Sequence, residues 1–329
     1  MRTPYLSILL MVFCASLCAD LPYQPAFPYQ GSAGIAIGGA KADNPPMSFY
    51  GSFSNDGAPA VTYDSDVKGP YFSLGASYAL PLPKPFCFVS DVVVLAVRDG
   101  IYFGECSHTT RLGEPDDAEL IDLFAIDGSG AGGTIAVTQE GSFSMHQTEN
   151  QLDAMVALQL FRCDGIFLMP AVGYTATYRR SKMESSLVDY ETGFNNGTVF
   201  EKINTWMQGA RFEVGLFKGF CMNWWTLVLP SIAVYHSNNE LEGTQDFGDN
   251  GSTLYTVDNH LGKNGFEASC KIYLGFDWCQ WNFTGYLFGR YQSFVPGVYN
   301  PREDDDGPAH LTTKNATLWG GGLFAIYMF

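Results

Sequence analysis

Two short groupings of side chains could do chemistry. Asp258-Asn259-His260 sets a carboxylate two residues from an imidazole. A histidine oriented by a carboxylate can act as a general base on water. Asp64-Ser65-Asp66 repeats the same spacing with two carboxylates. The chain holds 34 acidic against 18 basic residues, and in such a background short acidic groupings also serve as solvated loops. Both readings stand at this point. His236 and Ser237 adjoin, but a hydrolytic triad is defined by geometry and spacing offers no third member. No cofactor or metal site is expected, since the eight cysteines include no C-x-x-C pair and only five histidines are available.

The composition narrows the scaffold that must hold these groups. Only 16 % of residues are charged while 46 % are apolar and 15 % aromatic, far from the usual quarter charged of a soluble domain. Strands that alternate apolar and polar side chains across a membrane produce such an average. The net charge of −16 excludes a nucleic-acid partner, which needs basic patches. Arg2 followed by the apolar run 6–13 and small residues near Ala19 predicts a signal peptide over 1–19. Leu17 stands where a lipoprotein signal wants a small residue, so lipidation at Cys18 is not expected. The remaining 20–329 are expected to form one domain. Its longest obvious apolar run, 92–97, is bracketed by Asp91 and Arg98 and is too short for a membrane helix.

Period-two alternation is the main signal, because successive strand side chains point to opposite faces. Leu152, Ala154, Val156, Leu158 and Leu160 share one face, and Asp153, Met155, Ala157 and Gln159 the other. The pattern recurs around 166–180, 209–216 and 266–275. About ten strands are predicted, near 32–40, 70–80, 86–98, 151–162, 166–180, 204–217, 222–237, 262–276, 278–294 and 314–329. Short connections near 81–85, 162–165, 218–222 and 276–278 alternate with long ones near 41–69, 99–150, 181–203, 237–261 and 295–313. Short turns at one end and long loops at the other describe a closed antiparallel transmembrane β-barrel. An extra hairpin within 99–150, where 134–146 could be strand, would make twelve strands, and 116–126 reads as a short acidic helix. A soluble β-sandwich is the alternative fold, although it would spread its loop lengths more evenly.

The barrel assigns the other residues. Aromatic residues gather at the short turns: Phe86, Phe88, Phe220, Trp224, Trp225, Trp278 and Trp281. Amphipathic rings favour the membrane–water boundary. Asp153, Arg179, Arg211, Glu213, Glu267, Lys271 and Arg290 fall on the lumen face. In a bore of about ten strands, opposite charges should pair and partly block the passage, since wide channels need about 16 strands or more. Cys14 and Cys18 leave with the signal. Cys87, Cys163, Cys221 and Cys279 sit at or beside short turns in an oxidising compartment. Cys87 and Cys163 are the best-placed disulfide pair, Cys221 and Cys279 have a strand between them and could link to other envelope proteins, and free thiols are the plain alternative. Glu303-Asp304-Asp305-Asp306 could gather Ca²⁺ or Mg²⁺ between lipopolysaccharide phosphates, although no calcium-loop spacing marks a dedicated site.

The end of the chain is the most specific element. Leu323, Ala325, Tyr327 and Phe329 lie on one strand face and Phe329 is the last residue, which resembles the terminal insertion signal of outer-membrane barrels. Together with the signal peptide, the scattered cysteines and Gly-Ala-Arg-Phe-Glu-Val-Gly-Leu at 209–216, the chain resembles the major outer-membrane proteins of chlamydia-like and legionella-type bacteria. That resemblance implies a surface-exposed, disulfide-associated barrel in the bacterial outer membrane with porin or adhesion roles. Outer-membrane lipid, lipopolysaccharide and the barrel assembly machinery would be its partners. Asp258-Asn259-His260 and Asp64-Ser65-Asp66 also resemble the Asp-x-His and Asp-x-Asp pairs of omptin proteases. That resemblance implies surface proteolysis, but Asp64 and Asp66 fall in the first long loop, not the second.

Overall fold

The computed structural model describes residues 30–45, 47–52, 61–81, 92–112, 121–123, 139–158, 160–161, 166–189, 195–220, 223–246, 257–299 and 310–329. The predicted signal peptide, Phe86, Phe88, Cys87, Cys163, Cys221 and Glu303–Asp306 lie outside the described residues.

Ten long strands build one antiparallel barrel: β1 (Gly31–Asp43), β4 (Val67–Pro81), β5 (Val92–Leu112), β7 (Gln139–Leu158), β9 (Ile166–Asp189), β10 (Asn195–Gly219), β11 (Trp224–Asp246), β12 (Val257–Trp278), β13 (Trp281–Tyr299) and β14 (His310–Met328). Each pairs with the next in this order, and β1 pairs with β14 from Ser32↔Met328 to Asp43↔Thr317, which closes the wall. Closure rules out the sandwich, because every wall strand pairs on both sides within one sheet, leaving no second sheet to pack face to face against it. The twelve-strand alternative also falls. Residues 139–158 form one strand, paired along its length with β5 and β9, so 139–146 extends an existing hairpin.

The lower part of the wall is a lipid-facing belt. Ile35, Ile37, Leu74, Val97, Val156, Val172, Phe212, Ile232, Val234, Leu274, Leu287 and Leu323 all point outward and are exposed. Water would penalise such a continuous apolar surface, whereas hydrocarbon does not. Rings mark its lower margin: Trp281 lies 5.1 Å from Tyr327 and Trp224 lies 5.2 Å from Phe276. Trp225, expected at the same boundary, instead faces inward and is buried. Neighbouring residues alternate in direction, so only one of the tandem pair can meet lipid. An upper margin is formed by Trp206 with Tyr178 at 4.6 Å, Phe72 with Phe103 at 6.5 Å, and Trp319. Trp319 and Phe329 stand ten residues apart, and a tilted strand crosses a membrane in about 9–11 residues.

Most strands run well past that upper margin. β9, β10 and β11 hold 24, 25 and 23 residues. Above the margin the outward face turns charged: Lys68, Glu105, His146, Lys182 and Glu184 are exposed there, and Lys202 is bonded to Glu242. Much of what was expected to be loop at 99–150, 181–203 and 237–261 is therefore strand rising into water. Antiparallel neighbours keep supplying hydrogen-bond partners there, so the ladder continues.

Four short strands complete the description: β2 (Met47–Ser52), β3 (Val61–Tyr63), β6 (Ile121–Leu123) and β8 (Leu160–Phe161). β3, β2 and β6 make a small sheet of their own. Residues 121–123, expected within a short acidic helix, instead pair with β2 through Ile121↔Ser52 and Leu123↔Tyr50. A lone helix of this length is marginal in water, and a strand edge offers ready partners.

Candidate functional site

The barrel interior is filled in three layers. The lowest is built on Met155, Phe167, Ala171, Phe217, Trp225 and Leu229, beside a polar chain in which Trp225 Nε1 and Asn282 Nδ2 donate to Asp277 and Thr284 donates to Asn282. Phe167 lies 6.0 Å and Trp225 5.6 Å from Phe217. The highest holds an apolar cluster set among buried polar side chains that include Ser181, Thr205, Ser237 and Asn239. Tyr102, Phe143, Met145, Met183, Val199, Ile203 and Leu241 project inward from the wall to form that cluster. Described residues between β1 and β4 reach into this mouth. Tyr63 of β3 stacks on Phe143 at 5.3 Å, and Asn44 Nδ2 donates to Gln147 Oε1 at 2.9 Å. Tyr102 donates its hydroxyl to the Val67 carbonyl at 2.8 Å.

Charge fills the middle. Arg211, 1 % exposed, approaches Asp153 at 3.1 Å and Glu267 at 2.5 Å, and donates to Ser231 Oγ at 3.1 Å. Thr175 donates to Asp153 at 2.8 Å. Glu149 accepts from two guanidinium groups, Arg179 at 2.7 Å and Arg290. Arg290 also donates to Gln151 at 2.8 Å, and Gln292 ties Arg179 to Glu267. Arg98 meets Glu213 at 2.9 Å. The partners come from β5, β7, β9, β10, β12 and β13, so the network braces the wall from side to side. Planar guanidinium forks suit such multiple carboxylate contacts.

All seven lumen residues named from the sequence face this interior: Asp153, Arg179, Arg211, Glu213, Glu267, Lys271 and Arg290. Arg98 and Glu149 belong with them, and sequence reasoning misses both. Glu149 falls in an expected loop, although it lies two lumen steps above Asp153 on the same strand face. Arg98 reads in sequence only as the end of an apolar run, although its spacing from Ala96 and Val94 puts it inward.

Higher up, Glu201 lies five residues beyond Trp206 on β10, above the belt. It is 3 % exposed and neither carboxylate oxygen has a hydrogen-bond partner. Burial among Val199, Ile203 and their apolar neighbours pushes its pKa up to about 8.

The two catalytic-looking groupings fall on different parts of the wall. Asp258-Asn259-His260, expected in a loop, sits on β12 paired with Glu242, Leu241 and Glu240 of β11. β11 extends to Asp246 and gives that segment a partner. Asp64 and Asp66 lead into β4, and β13, β14 and β1 stand between that strand and β12 along the wall. Asp66 is held by Lys41 at 2.5 Å and its backbone N–H donates to Asp64 at 3.2 Å. Among the described residues no group of three or more His, Cys, Asp and Glu is placed to hold a metal. Cys279 is an exposed free thiol in the turn between β12 and β13. Cys106 and Cys270 are free thiols of intermediate exposure. Leu323, Ala325, Tyr327 and Phe329 share the outward face of the closing strand region.

No family model matches the chain, and no curated protein matches it. Solved outer-membrane structures align over most of its length at low identity. The outer membrane protease OmpT from Escherichia coli is 10 % identical over 94 % of this chain and 99 % of its own, with a TM-score of 0.49. A major outer membrane protein from Thermus thermophilus is 13 % identical over 91 % and 99 %, with a TM-score of 0.31. A FadL homologue from Pseudomonas aeruginosa is 8 % identical over 91 % and 90 %, with a TM-score of 0.27. Closed wall, lipid-facing belt and ring-marked margins make this chain a barrel of the bacterial outer membrane.

Proposed function

We propose that this barrel is closed to solutes and works structurally or adhesively through its external end. The observation behind this reading is the layered interior. A cross-braced charged layer fills the bore between two further layers of packed side chains, and the cavities beside it, about 20 and 40 Å³, are each too small to pass a hydrated solute. Exposed charge on the strands above the belt offers a surface for envelope or host molecules. The resemblance to the major outer-membrane proteins of chlamydia-like and legionella-type bacteria supports a surface role of the same kind. Lipopolysaccharide and the barrel assembly machinery are the proposed partners. Envelope proteins joined through cysteines of the periplasmic rim, where Cys279 is exposed, are proposed as well.

A narrow porin is the second reading. It is favoured by two small cavities of about 20 and 40 Å³ inside the wall. Single-channel recording of the refolded mature protein in a planar bilayer separates the two. Silence from a barrel shown to be folded by its heat-dependent gel migration is the expected result. A steady, reproducible conductance would replace closure with the porin.

A further inference from the structure

Among the described residues the charged layer contains five cations, Arg98, Arg179, Arg211, Arg290 and Lys271, but four carboxylates, Glu149, Asp153, Glu213 and Glu267. Each arginine has a carboxylate within 2.9 Å or less, and Arg211 adds a second at 3.1 Å. Lys271 has no carboxylate within 4.0 Å among the described residues. Charged groups around it include Arg98, Arg211, Asp153 and Glu213, and it shares a cavity wall with Glu149, Glu267 and Arg290. Its ammonium therefore has no dedicated carboxylate partner, and its charged form is costly inside the barrel unless something pairs with it.

Lys271 lines each of the two cavities of about 20 and 40 Å³. The larger, about 40 Å³, also has Arg98, Tyr71, Ser73, Tyr273 and Tyr286 in its wall, and no carboxylate. It exists because the facing positions are small: Ala36 on β1 and Gly75 on β4. Two donors there are buried and unpartnered, the Arg98 Nε–H and the Tyr286 hydroxyl, and Tyr286 is only 6 % exposed. One water needs roughly 10–15 Å³ on this scale, so the space suits a small inorganic ion and excludes organic acids. Two cations and idle hydroxyl and guanidinium donors around a carboxylate-free space make a site for negative charge.

We propose that this cavity binds a chloride-sized monovalent anion, held by Lys271 and Arg98 and by the Tyr286 hydroxyl. The ion supplies the missing fifth negative charge and completes the network that braces the wall, joining β5, β12 and β13 beside the cavity. The site stands whether or not the barrel conducts, so a conductance result leaves it untouched.

The test uses the mature protein refolded and crystallised in sodium bromide. An anomalous difference peak among Arg98, Lys271, Tyr273 and Tyr286 is expected, and its absence overturns the proposal. In detergent solution, thermal unfolding is compared in chloride and in gluconate at equal ionic strength, gluconate being too large for the cavity. A saturable rise of the midpoint in chloride alone is expected. Lys271→Met should abolish that rise, and Tyr286→Phe should raise the half-saturating chloride concentration about tenfold, the effect of losing one hydrogen bond to a charged group. Should Lys271→Met fail to fold, Tyr286→Phe carries the comparison. Identical unfolding in the two salts would mean that Lys271 needs no counter-ion, and the proposal would fail.

Discussion

Arg211 on β10 and Glu267 on β12 meet at 2.5 Å across the intervening strand β11, with both side chains almost wholly buried. Asp153, from β7, closes on the same guanidinium at 3.1 Å. One side chain therefore joins two regions of wall that no backbone ladder connects directly. Such a group braces the circumference as well as filling the bore.

Removing it should be expensive. Arg211→Ala leaves Asp153 and Glu267 buried with fewer partners, and breaking a buried pair typically costs about 3–5 kcal/mol. Glu267→Gln keeps the shape and leaves Arg211 paired with Asp153, so it should cost less. Urea unfolding of the refolded barrel in detergent, followed by heat-modifiable gel migration, measures both. Equal stability of Arg211→Ala and the parent would show that the network does not brace the wall.

Glu201 gives the barrel a pH dependence with a definite sign. Its folded pKa, about 8, exceeds the ordinary glutamate value of 4.5. Between those values the folded state holds the proton more tightly than the unfolded chain does. Stability from this group is therefore complete below the unfolded value and declines as pH rises, levelling off above about 8. Glu201→Gln should flatten that decline, matching the parent near pH 4 and exceeding it near pH 9 by a few kcal/mol, on the order of 1.4 per pKa unit. Unfolding midpoints across this range decide the matter, and parallel curves for the two proteins would count against it.

The sequence made the lower half of the barrel legible and much of the upper half illegible, and one physical change explains both. On β7 the apolar face is Leu152, Ala154, Val156 and Leu158, which point to lipid. Above the belt the apolar residues are Phe143 and Met145, which point inward. The alternation shifts phase because the solvent outside changes from hydrocarbon to water. A pattern followed at one phase stops there, and the polar outward residues read as loop. β10 shows the same change between Phe212 and Val199. The lumen charges are legible because they sit opposite the lipid-facing run. Arg98 and Glu149 escape because each lies where the alternation, followed at one phase, breaks off. Where Asp64 and Asp66 stand around the wall relative to Asp258 and His260 depends on strand order, which local spacing does not carry.

Glycine closes the barrel. At the β1–β14 seam Gly38 faces Gly322 and Gly39 faces Gly321. A Cβ on Gly322 would lie 2.1 Å from the Ile37 carbonyl oxygen, and one on Gly38 would lie 2.2 Å from that of Gly321. Backbone cannot yield to such contacts without separating the strands. Gly322→Val should therefore lower the yield of closed barrel sharply. Gly285→Ala, whose added methyl meets nothing within 4 Å, should leave it nearly unchanged. The fraction of compact, heat-modifiable species after refolding into detergent is the readout. Similar yields for both variants would mean that the seam tolerates a wider spacing.

The position of the membrane along the strands can be tested with one charge at two heights. Ile232 and Glu240 lie on the same strand and the same outward face, eight residues apart. Ile232 is 59 % exposed within the apolar belt, whereas Glu240 lies above it, two residues below the Glu242 that pairs with Lys202. A lysine near the bilayer midplane of a barrel costs about 2–4 kcal/mol and one near the interface about 0–1. Ile232→Lys should therefore destabilise the barrel in phospholipid vesicles by the larger amount, and Glu240→Lys by little. Lysine cannot be solvated in the belt without deforming the bilayer, while above it water is already present. If both variants unfold at the same denaturant concentration as the parent, the upper margin marked by Trp206 and Trp319 is not the boundary of the membrane.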